Sequence, residues 1–137
     1  MENPTLDREV VVLLAEDDPV VRVMLERLLK QGGYDLVVAA DGQEALQKSD
    51  EHKGRIDILV ADVQMPGMTG ADLAREMRKS RPDLRVILLS ASAQGLLVLD
   101  STWHFIQKPF LAKAMLERIV DVVKKPPSPH TDRGLEV

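Results

Sequence analysis

Residues 56–70 read IDILVADVQMPGMTG, and this stretch combines an apolar run, an acidic residue, a turn signal and a helix start. The run at 56–61 is almost continuously apolar, which is typical of a strand covered on both faces. Asp62 follows the run directly, and Pro66-Gly67 indicates a turn. Thr69 then indicates the N-terminus of a helix. The stretch predicts a buried strand that leads through a turn into a helix.

Similar apolar runs recur along the whole chain. They lie at residues 10–15, 36–39, 56–61 and 86–89, with a weaker one at 103–106, and amphipathic stretches separate them. Strands that alternate with helices pair in parallel through right-handed crossovers. We therefore predict an α/β fold, a three-layer sandwich built on a flavodoxin-like five-stranded parallel sheet with strand order 2-1-3-4-5.

Local signals predict where the first two helices begin and end. Asp18 is the expected N-cap of the first helix and Pro19 its first residue, and a Gly-Gly pair ends it at 32–33. Asp41 and Glu44 have the spacing of a capping box ahead of the second helix. The predicted helices therefore start directly after the first and second strands.

The later helices are less uniform. The last one is predicted from 111 to 124, with Leu111, Met115 and Ile119 directed inward. Residues 91–101 contain a glycine and show no amphipathic period, so the helix after the fourth strand should be short or irregular, with at most two regular turns.

Composition limits the class of protein. A chain of 137 residues favours one domain, and the absence of cysteine excludes disulfides and thiolate metal sites. The net charge of −4 without a basic stripe argues against a nucleic-acid partner. No apolar run is long enough for membrane insertion, and the first residues lack an apolar leader, so a cytoplasmic protein is expected.

The ordered domain is expected to comprise residues 8–124. Residues 1–7 are treated as an N-terminal extension. Residues 125–137 are rich in proline, contain few apolar residues and show no periodicity, so we expect a disordered tail.

Polar residues follow four of the predicted strands at the point where each strand ends. Glu16 and Asp17 follow the first strand, Asp62 the third, Ser90 the fourth and Lys108 the fifth. The carboxyl ends of parallel strands lie at one edge of a sheet, and doubly wound folds bind ligands there, where the strand order reverses. These residues are therefore expected to converge on one site.

This set of residues suits metal-assisted phosphoryl chemistry. Carboxylates crowded together repel one another, and Mg²⁺ takes oxygen ligands and sits between carboxylates and phosphates. An aspartate neutralised by the metal can attack phosphorus and form an acyl phosphate. Lys108 and the Ser90 hydroxyl could each bind a phosphoryl oxygen.

Each residue also has a structural explanation when it is considered alone. Asp18, the neighbour of Asp17, could serve only as a helix cap, and Asp62 before a Pro-Gly turn could be an Asx-turn residue. Ser90 could be a satisfied polar strand end, and Lys108 a solvated surface lysine. Only the convergence at one sheet edge favours the functional interpretation.

Four segments carry a resemblance to a known family. They are LAEDD at 14–18, DVQMPGMTG at 62–70, LSA at 89–91 and QKPF at 107–110. Over residues 8–124 the chain resembles the CheY-like receiver domains of two-component response regulators. The D-x-x-M-P-G-x-x-G and K-P-F motifs are highly specific in combination.

The resemblance implies a metal site and a phosphoacceptor. Asp62 would be the phosphoacceptor, Asp17 a direct Mg²⁺ ligand, and Glu16 the other half of the acidic pair, acting through water. The backbone carbonyl of Gln64 would be the third protein ligand.

The resemblance also implies residues that bind the phosphoryl group and respond to it. Ser90 would be the switch hydroxyl and Lys108 the phosphate-binding lysine, followed by a cis Lys108–Pro109 bond. Phe105 would occupy the aromatic switch position, whose rotamer reports phosphorylation in this family.

The implied function is that of a signalling phosphoacceptor in a bacterial two-component system or phosphorelay. The phosphoryl group would come from the phosphohistidine of a sensor histidine kinase or a histidine phosphotransfer protein, and it would be lost by slow autodephosphorylation. The chain would not be an enzyme acting on other substrates, and without an output domain it would act through protein partners.

The interval from Ser90 to Lys108 is several residues shorter than is usual in receivers. In this respect the chain resembles the receiver segments of hybrid sensor kinases. The helix in this interval belongs to the dimer face of many receivers, so homodimer formation stays open.

Two other classes of protein compete with this interpretation. A phosphohydrolase of the haloacid-dehalogenase type also uses an Asp nucleophile with Mg²⁺, but it needs a second Asp two positions later, where this chain has Gln64. A receiver-like binding module would not need the set of Glu16, Asp17, Asp62, Ser90 and Lys108.

Overall fold

Strands and helices alternate through the first described range of residues, and one further strand and helix follow in the second range. The computed structural model describes residues 9–91 and 102–124. In these ranges the elements are β1 (Val11–Ala15), α1 (Pro19–Gln31), β2 (Asp35–Ala39), α2 (Gly42–Glu51), β3 (Ile58–Asp62), α3 (Gly70–Ser80), β4 (Arg85–Ser90), β5 (His104–Gln107) and α4 (Ala112–Lys124).

The five strands form one parallel sheet in the order β2-β1-β3-β4-β5. Val12 of β1 pairs with Leu36 of β2 on one side and with Ile58 of β3 on the other. The order reverses between β1 and β3, so the loops that follow these two strands lie side by side. The predicted α/β sandwich and strand order are confirmed.

The sheet is covered on both faces because successive side chains of a strand point to opposite sides. Leu13 and Leu59 belong to a core that also contains Leu73 and Met77 of α3. Their neighbours Val12, Leu14, Ile58 and Val60 belong to a second core with α1 and α4. All of these strand residues are fully buried. This double coverage explains why the central strands are continuously apolar.

The predicted helix starts are confirmed. Asp18 caps α1 by accepting a hydrogen bond from the Val20 amide at 2.9 Å, and Pro19 is the first helical residue. Asp41 accepts from the Glu44 amide at 2.8 Å. Glu44 reaches back to the amide of Ala40 at 2.7 Å, one residue before the cap, so the capping box is wider than expected.

One interpretation of the helix faces needs correction. Leu111 was expected to point inward, but it precedes α4 and is 76% exposed, whereas Met115 and Ile119 are buried as predicted. On α1, the apolar side chains of Val20 and Met24 are also exposed. Only Leu25 and Leu29 of α1 are fully buried, because the sheet contacts a narrower stripe of the helix than its apolar sequence offers.

The short or irregular helix expected at 91–101 lies outside the described residues apart from Ala91, as do the extension at 1–7 and the tail at 125–137. Within the described ranges, none of the helices combines the length and the apolar character needed to cross a bilayer.

Candidate functional site

The corner between β1 and α1 brings two carboxylates to the switch point of the sheet. The Glu16 amide donates to the carbonyl of Ala39 at 3.2 Å, which extends the β1–β2 ladder by one residue. The Glu16 side chain is fully buried and accepts a hydrogen bond from the Asp18 amide at 3.1 Å. Asp17 is exposed. One acidic side chain is therefore held inside the site while its neighbour faces solvent.

Asp62 ends β3 beside this corner and is 8% exposed. Its Oδ1 accepts a hydrogen bond from the Gln64 amide at 3.0 Å. This is the Asx-turn contact that the sequence suggested as a structural explanation. It occupies one carboxylate oxygen and leaves Oδ2 directed at Lys108. The turn contact and a chemical role are therefore compatible in the same side chain.

Lys108 connects the two buried carboxylates. Its ammonium group donates to Asp62 Oδ2 and lies 3.4 Å from Glu16 Oε1. Its backbone amide donates to the carbonyl of Ser90 at 2.8 Å, which fixes the end of β5 against the end of β4. The Lys108–Pro109 peptide bond is cis, as the resemblance implied.

Burial and charge shift two pKa values in this cluster. Burial raises the pKa of Glu16 above its ordinary value, and the Asp18 amide and Lys108 only partly offset this. For Lys108, burial acts to lower the pKa, but the hydrogen bonds and charges of Asp62 and Glu16 outweigh it, so the pKa is raised. Lys108 therefore stays protonated and supplies the positive charge that the two carboxylates need.

The acidic side chains have the geometry of a candidate cation site. Carboxylate oxygens of Glu16, Asp17 and Asp62 all lie within 4.8 Å of one another. Hard divalent cations take oxygen ligands of this kind and offset the repulsion among them. The donor set therefore fits Mg²⁺ and, among the described residues, contains no soft ligand that would favour another class of metal.

The other predicted site residues lie at or near the same edge. Ser90 ends β4 and is buried. Gln64 is exposed, two residues beyond Asp62. Phe105 is half-buried, pairs with Leu88 across the sheet and packs against the core on the α2–α3 side. The structure therefore places Ser90 at the sheet edge that carries the acidic cluster, whereas the switch roles of Ser90 and Phe105 stay predictions.

Sequence reasoning missed two residues that shape the site. Arg22 donates to the carbonyl of Glu16 at 2.9 Å. Gly70 starts α3, donates its amide to the carbonyl of Val63 at 3.0 Å, and packs so closely that an added Cβ would lie 2.3 Å from the carbonyl oxygen of Asp62. The glycine was visible in the motif, but its reason is a tertiary contact.

Comparisons with known proteins agree with this geometry. A family model described as response regulator receiver domain matches residues 12–121. The sensor kinase CckA of Brucella abortus is 38% identical over 124 residues, which are 88% of this chain and 13% of that protein. The chemotaxis protein CheY of Thermotoga maritima is 33% identical over 118 residues, 82% of this chain and 97% of that protein.

A solved structure of a protein in complex with ligands is also similar to this chain. The response regulator TrrA of Thermotoga maritima, in complex with Mg²⁺–BeF, superposes with a TM-score of 0.74 at 29% identity. The match covers 82% of this chain and 98% of that one. The present chain therefore spans a small part of CckA and nearly the full length of CheY and of the TrrA structure.

We expect Gly70→Ala to lower the free energy of unfolding by about 3 kcal/mol, the upper part of the range for overpacking, because the new methyl group would collide with the Asp62 backbone. Gly54→Ala is the matched control, since its Cβ would meet only His52 Nε2 at 3.5 Å. That variant should be neutral or stabilised by up to about 1 kcal/mol. Urea unfolding measures both, and equal stabilities would contradict the close approach.

Proposed function

The chain belongs to the response regulator receiver domain family, and from this premise we propose that Asp62 is the phosphoacceptor of a two-component system or phosphorelay. The proposal depends mainly on one observation. The Lys108 ammonium bridges the Asp62 and Glu16 carboxylates at the switch point, with an Asp17 carboxylate oxygen within 4.8 Å of theirs. This arrangement holds an aspartate together with the positive charge and the cation ligands that phosphoryl transfer requires.

We assign the Mg²⁺ site to the carboxylates of Glu16, Asp17 and Asp62 and to the backbone carbonyl of Gln64. The exposed Asp17 would be a direct ligand, and the buried Glu16 would act through water. When bound, Mg²⁺ supplies positive charge that offsets the repulsion among the carboxylates and the charge of the incoming phosphoryl group.

The chain's own residues then perform the transfer. An oxygen of Asp62 attacks phosphorus as the phosphorus–nitrogen bond of the donor histidine breaks, and the electron pair remains on the imidazole nitrogen. The Lys108 ammonium moves from the aspartate to an oxygen of the bound phosphoryl group. The Ser90 hydroxyl donates to a second oxygen, and Phe105 responds as the aromatic switch residue. Water later attacks phosphorus, the bond between phosphorus and the Asp62 oxygen breaks, and inorganic phosphate leaves the restored carboxylate.

This activity makes the chain a signalling phosphoacceptor that catalyses only its own phosphorylation and dephosphorylation. The proposal places it in the cytoplasm, where its donor is a sensor histidine kinase or a histidine phosphotransfer protein. We propose that residues 8–124 form the receiver domain. The phosphorylated domain would pass its signal on by binding a protein partner. Whether the chain acts alone or within a hybrid kinase does not alter the chemistry at Asp62.

The surface next to the site suits the protein that carries the phosphohistidine. Three apolar side chains of α1 are exposed there, namely Val20 (77%), Val23 (45%) and Met24 (49%). A groove of about 660 Å³ runs along α1 and reaches the start of α4. The donor histidine must reach Asp62, so the protein that carries it has to cover this edge. We propose that this apolar surface of α1 contacts the donor.

The phosphoacceptor assignment predicts one phosphoryl adduct when the chain is incubated with acetyl phosphate and Mg²⁺. Intact-mass measurement should detect it, and EDTA should prevent it because the carboxylates would lack their neutralising cation. Asp62→Asn should remove the adduct, since the amide is not a nucleophile. An undiminished adduct on that variant would refute the assignment, and no adduct on the wild type would favour the binding-module interpretation.

The metal assignment predicts that substitutions of two neighbouring aspartates affect different properties, Mg²⁺ affinity for Asp17 and stability for Asp18. Asp17→Ala should weaken Mg²⁺ binding by about tenfold or more. Removing a residue that merely bonds to a metal ligand already costs about tenfold, and removing the ligand itself should cost at least as much. Asp18→Ala should instead lower the free energy of unfolding by about 1 kcal/mol, because Asp18 caps α1. Calorimetric Mg²⁺ titrations and urea unfolding of both variants decide this, and the reverse ranking would overturn the assignment.

If the apolar surface of α1 contacts the donor protein, Met24→Glu should slow phosphorylation by a histidine kinase but not phosphorylation by acetyl phosphate. Phosphotransfer from a histidine kinase that phosphorylates the wild type should slow by about tenfold, since a charge would enter an apolar contact. Phosphorylation by acetyl phosphate should stay unchanged because that small donor needs no surface. Val120→Glu on α4, where Val120 is 41% exposed, is the control and should affect neither reaction. Equal slowing in both variants would exclude this surface.

A further inference from the structure

Arg22 occupies an unfavourable place for a positive charge. It is the fourth residue of α1, and the first turn of this helix contains no acidic residue. The helix dipole is positive at this end and disfavours cations there. A guanidinium at this position is therefore expected to have a compensating contact, and the structure provides one.

That contact is with the backbone of the acidic pair. Arg22 NH1 donates to the Glu16 carbonyl oxygen at 2.9 Å, across six positions of sequence. This carbonyl belongs to the peptide unit that joins Glu16 to Asp17. The remaining polar atoms of Glu16 contact Ala39, Asp18 and Lys108. Arg22 therefore holds the peptide between the buried carboxylate and the exposed one.

Arg22 also acts on the neighbouring loop through its charge. The pKa of Glu44 is lowered, chiefly by the hydrogen bond from the Ala40 amide and then by Lys48, and Arg22 contributes to the same shift. Glu44 in turn accepts the hydrogen bond from Ala40 in the loop between β2 and α2. The guanidinium thus bonds to the β1–α1 corner and acts on Glu44 of α2 only through its charge.

We propose that Arg22 is a positioning residue for the Mg²⁺ site: its bond to the Glu16 carbonyl orients the Glu16–Asp17 peptide so that both carboxylates face Asp62. This inference rests on the proposed function. Simple electrostatics predicts that removal of Arg22 strengthens Mg²⁺ binding, because a nearby guanidinium repels a cation. The proposal predicts the opposite change in Mg²⁺ affinity. A positioning role requires that its removal weaken binding.

The test compares Mg²⁺ affinities by titration calorimetry at constant ionic strength. Arg22→Met keeps the apolar stem but loses the donor and the charge, and it should bind Mg²⁺ about tenfold more weakly, the low end of the effect of removing an outer partner of a metal ligand. Arg22→Lys retains a charged donor and should recover most of the affinity. Lys30→Ala removes a positive charge from the exposed last turn of α1 and should bind like the wild type.

Amide hydrogen exchange of the metal-free protein separates positioning from general destabilisation. The Asp18 amide, which donates to Glu16 Oε2, should exchange faster in Arg22→Met, while the amide of buried Leu29 should exchange as in the wild type. If Arg22→Met does not fold, Arg22→Leu replaces it, since it also lacks the donor, and its Asp18 amide should likewise exchange faster than that of the wild type.

The outcomes are distinct. Unchanged or tighter Mg²⁺ binding by Arg22→Met overturns the inference, as does equal acceleration of exchange at Asp18 and Leu29. If Arg22→Leu is the variant that is measured, Mg²⁺ binding and Asp18 exchange identical to those of the wild type overturn it. Failure of the wild-type chain to bind Mg²⁺ would refute the proposed function itself, and the inference with it.

Discussion

Three acidic side chains share one edge of the sheet, and their mutual repulsion is held in check by the Lys108 ammonium. This group bonds to Asp62 and lies 3.4 Å from Glu16, which is fully buried. A buried carboxylate without such a partner would carry a large desolvation cost. One ammonium group cannot offset three carboxylates, so Glu16, Asp17 and Asp62 still repel one another when no metal ion is bound. The cluster is therefore suited to bind a divalent cation.

The parallel sheet makes this crowding unavoidable. Because β1 and β3 are neighbours, any residue that follows either strand lies at the switch point, and β4 and β5 place Ser90 and Lys108 beside it. The strands themselves cannot adjust, since their side chains are buried in cores on both faces. The rigid layers position the site, while hydrogen bonds from Asp18, Arg22, Gln64 and Lys108 hold the corners that carry Glu16 and Asp62.

On each of the two outer strands of the sheet, a cationic side chain binds a backbone carbonyl at the outer edge. On β2, the Lys48 ammonium donates to the Val38 carbonyl at 2.6 Å. On β5, Arg118 of α4 donates to the Phe105 carbonyl at 2.9 Å. Backbone groups of successive residues in a strand face opposite directions. Ala39 bonds to Glu16 beyond the end of β1, so the carbonyl of its neighbour Val38 faces away from the sheet, and the Phe105 carbonyl on β5 does the same. Cationic side chains on such groups hinder the pairing of another strand and keep the sheet at its native width.

The sequence by itself determined the fold class, the strand order, the caps of the first helices and the residues that meet at the sheet edge. These features depend on side-chain periodicity, on short-range hydrogen-bond chemistry and on the rule that parallel strands end together. Only the tertiary structure decided that Leu111 is exposed, that Gly70 must lack a Cβ, and that Arg22 holds the Glu16 carbonyl. The last two depend on distances between backbone atoms of different elements, and helix exposure depends on how much of each face the sheet can cover. No local pattern in the sequence encodes those distances.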